Sequence, residues 1–331
     1  MMDNGYYPPV FGWTKMPDSQ PAIRMQDVAY SYADKVAVDG VSLTVERGEI
    51  FGFLGPNGAG KSTTIRLLTS LLRPQRGSVE VLGHRLPEQE LEAKRRTGVV
   101  LQEPSYEYNL NVESGLELYG LMWGVPRGER KRRAEALMEE FGLLECRRTR
   151  IHDLSIGMRR RVQVAREFMH DMDLLFLDEP TIGLDVVSRR KTLDIIKERA
   201  EGGLTVFFTT HALDEADYLC HRIAVINKGR IMAVDTPRRL KDAFGGVRTI
   251  EIQASPEDAL VLASELRRLD SLRVASDSAG TVQVMTEDPT GAFQAISGLL
   301  DEKRIRPIRM SLVEPSLEQA FMNMVTEEAP P

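Results

Sequence analysis

The strip Phe51 to Thr63, FGFLGPNGAGKST, restricts what this chain can fold into more than any other stretch. Gly55, four further residues, Gly60, Lys61 and Ser62 satisfy the G-x-x-x-x-G-K-[ST] phosphate loop without a mismatch. Backbone N–H groups must turn inward around an anion here, and a Cβ at the glycines would block either the turn or the approach. Gly55, Pro56, Asn57, Gly58, Ala59, Gly60, Lys61, Ser62 and Thr63 are therefore read together as a nucleotide-binding strip. Lys61 supplies a point charge for β- and γ-phosphates, and the Ser62 hydroxyl can ligate a divalent cation. A helix expected over 61–72 aims its positive end at the same phosphates. The strip demands an α/β fold with a strand before the loop and a helix after it.

A phosphate loop needs a second, acidic site for its cation. Leu174-Leu175-Phe176-Leu177 is a continuous apolar run, as for a strand buried on both faces of a parallel sheet, and Asp178 and Glu179 follow it at once. Two acids at the end of a buried strand are costly unless a cation or a catalytic task compensates them. Asp178 is assigned to Mg²⁺ and Glu179 to orienting or deprotonating an attacking water.

The remaining composition bounds the setting. With 331 residues the chain has room for about two domains, and its 42% hydrophobic and 28% charged content is that of an ordinary globular protein. A net charge of −6 offers no basic excess for nonspecific binding to nucleic acid or anionic lipid. Cys146 and Cys220 are far apart and lack a C-x-x-C or histidine context, which argues against a disulfide framework or zinc and for a reducing compartment. Residues 1–21 carry no secretory pattern and read as a flexible leader, with Tyr6, Tyr7, Phe11 and Trp13 as its aromatic residues. No window approaches the roughly 18 apolar residues needed to cross a bilayer, so any work at a membrane requires another chain to span it.

Along the chain, apolar positions alternate through 22–46, Ile23, Met25 and Val28, then Val36 to Val45, as antiparallel strands joined by turns at Ala33-Asp34-Lys35 and Asp39-Gly40. Further strands are expected at 77–82, 97–101, 205–209 and 223–227. Between about 105 and 160 the pattern becomes helical, with Asn111 as a cap, Gly124 and Pro126 as a stop, and a second helix over 127–141. Lys131, Arg132 and Arg133, and later Arg147, Arg148 and Arg150, read as solvated faces. After Gly245-Gly246 the order becomes βαββαβ, with a hairpin across Asp277 to Gly280 and a last helix capped by Ser316 with Gln319.

Leu154-Ser155-Ile156-Gly157-Met158 completes the set, and over residues 22–245 the chain resembles the ATP-binding subunits of ATP-binding cassette (ABC) transporters. In that family a Leu-Ser-Gly-Gly-Gln segment closes over ATP held by the other subunit. Ser155 can do so as a helix cap, presenting its hydroxyl, backbone N–H groups and the positive helix end. The resemblance implies that Ser155 and Gly157 touch phosphate, that Tyr32 stacks on adenine, and that Gln102 reaches Mg²⁺ and the attacking water. It further implies that Asp185 lies where two subunits exchange contacts, and that His211 senses the γ-phosphate. This sequence departs from the family at Ile156 for Gly and Met158 for Gln, and Ile156 is tolerable only with ordinary helical dihedrals.

The implied fold is an α/β P-loop NTPase core of ABC type, a mixed sheet with an antiparallel β subdomain and a helical insertion. A small C-terminal α+β ferredoxin-like domain over 246–331 follows it. Glu314-Pro315-Ser316-Leu317-Glu318 with Phe321, the Glu179 to Asp185 segment and Met158-Arg159-Arg160-Arg161 resemble ATPases paired with ABC-2 type permeases, mostly exporters. The implied activity is ATP hydrolysis with Mg²⁺ in a homodimer bound to a separate transmembrane permease, peripheral to the cytoplasmic side of the membrane and without nucleic acid. Two other readings share the motifs: a soluble ATPase of the same type acting on ribosomes or DNA, and a nucleotide-gated regulatory module of weak turnover.

Overall fold

The structure is a computed structural model in which residues 20–103, 105, 107–246, 248–269, 273–276, 280–286 and 288–326 are described. The aromatic residues of the leader, Val247 and the hairpin turn 277–279 lie outside the described residues. The chain forms two compact units that divide between Asp235 and Thr236, ahead of the Gly245-Gly246 pair.

In the first unit, β1 (Ile23–Tyr32) and β2 (Lys35–Val45) form an antiparallel hairpin, and β3 (Ile50–Leu54) runs into the phosphate loop and α1 (Lys61–Leu68). β4 (Arg76–Val81), β5 (His84–Leu86), α2 (Glu90–Lys94) and β6 (Thr97–Val100) follow. The helical insertion holds α3 (Val112–Met122), α4 (Arg127–Glu140) and α5 (Ile156–Glu167). The unit ends with β7 (Leu174–Asp178), α6 (Val186–Glu201), β8 (Thr205–Thr210), α7 (Leu213–Leu219), β9 (Arg222–Asn227) and β10 (Arg230–Asp235).

Two sheets result, one antiparallel in the order β2-β1-β4-β5 and one mixed in the order β10-β9-β3-β8-β7-β6. Strands β3, β7 and β8 are buried at every position, which explains why the Leu174 to Leu177 run of β7 is continuous rather than alternating, and β8 keeps even its threonines out of water. One core joins the two sheets and α1. Phe53 and Phe176 both lie against Phe207, at ring-centroid distances of 5.4 and 5.9 Å, and Ile23, Val79 and Ile65 belong to the same cluster. Each such ring, fully removed from water, contributes about 1.5–3 kcal/mol. This shared core sets the loop between β3 and α1 rigidly against both sheets.

Asp39-Gly40 is not a turn. Val28 pairs with Val41 and Tyr30 with Val38, so the pair forms a bulge inside β2, with Gly40 at φ +66°. Helix α1 stops at Leu68, short of the expected 72, because Ser70 takes a left-handed φ of +56°. Arg133 does not belong to a solvated face; it is 5% exposed and paired with Glu129 and Asp171. Short elements with little periodicity, β5, α2 and β10, had no signal in the sequence.

The second unit contains α8 (Pro237–Phe244), β11 (Arg248–Gln253), α9 (Pro256–Leu266), β12 (Arg273–Ser276), β13 (Thr281–Thr286), α10 (Pro289–Lys303), β14 (Arg309–Val313) and α11 (Leu317–Thr326). Its sheet runs β12-β13-β11-β14, all antiparallel, the strand order of the ferredoxin-like arrangement expected from the βαββαβ pattern. Ile250, Ile252, Val282 and Val284 bury the inner sheet face under Leu262 and Ile296 of α9 and α10. Ser316 Oγ accepts from Gln319 N at 3.1 Å, as the capping pattern predicts. The Asn323 amide donates to Phe244 O at 2.7 Å and fastens α11 to α8.

Candidate nucleotide site

Strands β6, β7, β8 and β3 are parallel neighbours and end together: Val100 pairs with Leu177, Asp178 with Thr209, and Thr210 with Leu54. Gln102, Glu179, His211 and Gly55 each follow one of those strand ends. One edge of the sheet therefore carries four separate sequence motifs, at the carboxyl ends of the strands where open α/β sheets bind ligands.

The phosphate loop is shaped by close backbone contacts. Gly60 has φ +113°, and a Cβ there would stand 2.4 Å from the Ala37 carbonyl oxygen. Only glycine fits. Lys61 is buried and its Nζ donates to Gly55 O at 2.7 Å and Pro56 O at 3.3 Å, spanning the loop from within. Burial holds the Lys61 ammonium below its ordinary pKa, an effect opposed by the negative charges of Glu179 and Asp178. Those two carboxylates thus act electrostatically on the lysine meant for phosphate.

Asp178 and Glu179 are 3% and 6% exposed. Thr209 Oγ1 donates to Asp178 Oδ1 at 2.6 Å, fixing that carboxylate, and the Glu179 N–H donates to the Thr209 carbonyl at 3.1 Å. Glu179 itself takes a left-handed φ of +52°, uncommon for a side chain with a Cβ. Its Oε2 lies 2.6 Å from His211 Nδ1, while the His211 ring is two-thirds exposed. The oxygen donors Ser62, Asp178 and Gln102 are the type a hard divalent cation takes, and Asp178 is preset by Thr209.

Tyr32 ends β1, 40% exposed, and packs edge-on against Tyr30 at 4.9 Å. Gln75 pins the chain beside it, accepting from Ser31 N at 2.9 Å and donating to Ser31 O at 3.1 Å.

Ser155, Gly157 and Asp185 form a second surface. Among the described residues no hydrogen bond links them to the phosphate loop. Ser155 Oγ accepts from Met158 N at 3.2 Å and caps α5; Asp185 Oδ1 accepts from Ser188 N at 2.9 Å and caps α6. The two caps are neighbours, since a Cβ at Gly157 would stand 2.8 Å from Gly183 O. Ile156 begins α5 without a positive φ, which meets the condition set by its β-branch, and it is 67% exposed. Val186 and Val187, each 78% exposed, extend this apolar surface.

Three polar residues to which sequence reading gave no role in the site organise it from behind. Arg160, Gln163 and Glu167 lie on the buried face of α5. Glu167 accepts from Val99 N and Tyr119 Oη, and burial raises its pKa despite Arg166 nearby. The signal was present, since i, i+3 and i+7 on a helix face share an orientation, but polar residues in that register read as exposed. Glu215 is a fourth: its Oε2 accepts from Thr181 and Thr210 hydroxyls, both at 2.9 Å, tying the Asp185 and His211 segments together.

Comparison with known proteins places the chain in a family. The family described as ABC transporter matches residues 38–182. The daunorubicin/doxorubicin resistance ATP-binding protein DrrA of Streptomyces peucetius is 36% identical over 319 residues, covering 94% of this chain and 95% of its own. The linearmycin resistance ATP-binding protein LnrL of Bacillus subtilis (strain 168) is 33% identical over 307 residues, covering 91% and 97%. The Nod factor export ATP-binding protein I of Cupriavidus pinatubonensis is 40% identical over 239 residues, covering 72% and 73%. A solved ATP-binding subunit of an ABC transporter superposes with TM-score 0.63 at 28% identity, over 68% of this chain and 93% of that one. A dimeric, post-hydrolysis ATP-binding cassette with ADP and Pi shares the fold at TM-score 0.60 and 24% identity, over 65% and 98%. With its phosphate loop, acidic strand end and capped second surface in one unit, the chain belongs to the ATP-binding proteins of ABC transporters.

Proposed function

We propose that this chain is the ATP-hydrolysing subunit of an exporter, working as a homodimer beneath a separate ABC-2 type permease on the cytoplasmic side of the membrane. The observation that carries the reading is the alignment of Gln102, Glu179, His211 and the phosphate loop on one sheet edge, with Ser155 and Asp185 on another surface. A complete site then needs both surfaces, and a second copy supplies the missing one. The exposed Ile156, Val186 and Val187 are apolar material for such a contact. Export is supported by the names of the relatives, which concern drug resistance and Nod factor export. No helix among the described residues is long and apolar enough to cross a membrane, so translocation requires a partner.

In this reading Tyr32 stacks on adenine, Gly55 to Thr63 wrap the phosphates, and Lys61 turns its ammonium from the loop carbonyls to the γ-phosphate. Mg²⁺, held by Ser62, Asp178 and Gln102, would neutralise phosphate charge when bound. Glu179 receives the proton of the attacking water, oriented by His211 and Gln102. Ser155, Gly157 and the N–H groups that open α5 meet the γ-phosphate from the other subunit, contacts that exist only when the dimer is closed. Residues 246–331 serve as a domain accessory to the ATPase part at 22–245.

Co-expression with its membrane partner tests the whole reading. ATPase activity recovered with a transmembrane protein from detergent-solubilised membranes is the expected result; a chain that hydrolyses ATP at full rate as a monomer and purifies with no membrane protein would overturn it.

A further inference from the structure

Arg160 is 5% exposed, and its guanidinium is saturated. Nη2 donates to Asp178 O at 2.7 Å and Glu179 O at 2.8 Å, Nε to Pro180 O at 3.0 Å, and Nη1 to Leu101 O and Gln163 Oε1, each at 2.7 Å. Three consecutive carbonyls can point at one group only because the chain reverses at Glu179, whose φ is +52°. Glu179 O also accepts from the Ile182 N–H at 3.3 Å, and Arg160 adds a second donor to it while meeting the carbonyls of Asp178 and Pro180 on either side. A planar fork bearing five N–H groups meets them all, whereas a lysine ammonium offers three donors from a single point.

The same helix face grips the Gln102 loop. Gln163 Nε2 donates to Leu101 O and to Glu103 O, both at 3.2 Å, so the carbonyls on either side of Gln102 are held by one amide. Its orientation is set in turn by the bond from Arg160 Nη1 to its Oε1. Arg160 and Gln163 stand about one and a half and about two turns from Ser155, the cap of α5. Helix α5 therefore presents one end to a second surface and fastens its flank to both loops of its own nucleotide site.

We propose that Arg160 is a positioning residue for hydrolysis: it holds Glu179 in the left-handed conformation that aims its carboxylate at His211 and, with Gln163, locks that turn to the Gln102 loop. Movement of the Ser155 end of α5 is thereby transmitted to the residues that handle the attacking water. The inference rests on the reading of Glu179 as the proton acceptor. An arginine serving packing alone would bond to whichever carbonyls lie nearby; here four of the five acceptors belong to the two loops that carry Glu179 and Gln102.

The test uses the full-length chain and compares parent, Arg160→Lys, Glu179→Gln and the double variant, reading ATP binding with a fluorescent ATP analogue, steady-state turnover and thermal melting. Arg160→Lys is expected to melt cooperatively, bind nucleotide within about threefold of the parent and lose about 100-fold in kcat, the effect of a misplaced reacting group. The double variant should be no slower than Glu179→Gln, because both changes act on one carboxylate. Parent kcat in Arg160→Lys, or a loss of binding equal to the loss of turnover, would overturn the proposal. Should Arg160→Lys fail to fold, Gln163→Leu decides the matter: kcat is expected to fall about tenfold with binding kept, the scale of one buried hydrogen bond, and an unchanged kcat refutes the coupling. Rapid turnover by Glu179→Gln instead sinks the assignment of the proton acceptor, a separate failure.

Discussion

Glu179 Oε2 and His211 Nδ1 are 2.6 Å apart although they come from the ends of different strands, β7 and β8. The pairing of Asp178 with Thr209 sets this distance, because Glu179, one residue past Asp178, and His211, two residues past Thr209, then leave the sheet on the same edge. Glu179→Gln keeps the size and one acceptor oxygen but cannot take a proton. Phosphate release should fall at least about 100-fold, with ATP binding retained and the dimer detectable by light scattering in ATP. Release at the parent rate would remove Glu179 from its role.

Thr209 donates to Asp178 Oδ1 at 2.6 Å from a fully buried position. Thr209→Val leaves the shape and removes the donor. Partners behind a metal-binding carboxylate tune affinity, so the Mg²⁺ concentration for half-maximal turnover should rise about tenfold. A magnesium titration identical to the parent's would show that Asp178 does not depend on this bond.

Separation of the phosphate loop from the Ser155 surface makes a complementation test possible. Lys61→Ala damages the first surface and Ser155→Arg the second, and each variant alone should be inactive. A mixed symmetric dimer of the two contains one site built from intact halves, so an equal mixture should recover up to about a quarter of parent turnover. No recovery, in mixtures that demonstrably form mixed dimers, argues that each chain holds a complete site.

At the start of α5, neighbouring positions should respond unequally. Gly157→Ala drives a Cβ to 2.8 Å from Gly183 O, and backbone must move; a loss of about 1–3 kcal/mol, as for overpacking, is expected in denaturant unfolding. Ile156→Gly removes an exposed side chain and should cost no more than about 1 kcal/mol, the helix-propensity difference. Equal losses would mean that the Asp185 loop does not pack on α5 as described.

Much of this molecule was written locally. The phosphate loop, the unbroken run of β7, the caps Asn111, Ser155 and Ser316, and the βαββαβ order of the second unit depend on residues close together in the chain, where spacing alone carries the information. Even Ile156 was read correctly as conditional on ordinary dihedrals, because the steric rule for a β-branched residue is local. Asp39-Gly40 was misread as a turn for the same reason: a bulge and a turn have the same composition and differ only in which strand lies opposite.

Sequence by itself thus determined that a nucleotide is bound and which side chains have the chemistry to meet it. Tertiary structure alone decided how they are held. Arg133 is buried because Asp171 approaches it from beyond α4, and Arg160 is buried because three carbonyls near Glu179 converge on it after a backbone reversal. A charged residue can leave water only when partners distant in sequence replace its hydration, and no pattern along one helix announces such partners. The left-handed Glu179 follows the same logic: its conformation is uphill for an isolated peptide and persists because Arg160, Thr209 and His211 surround it.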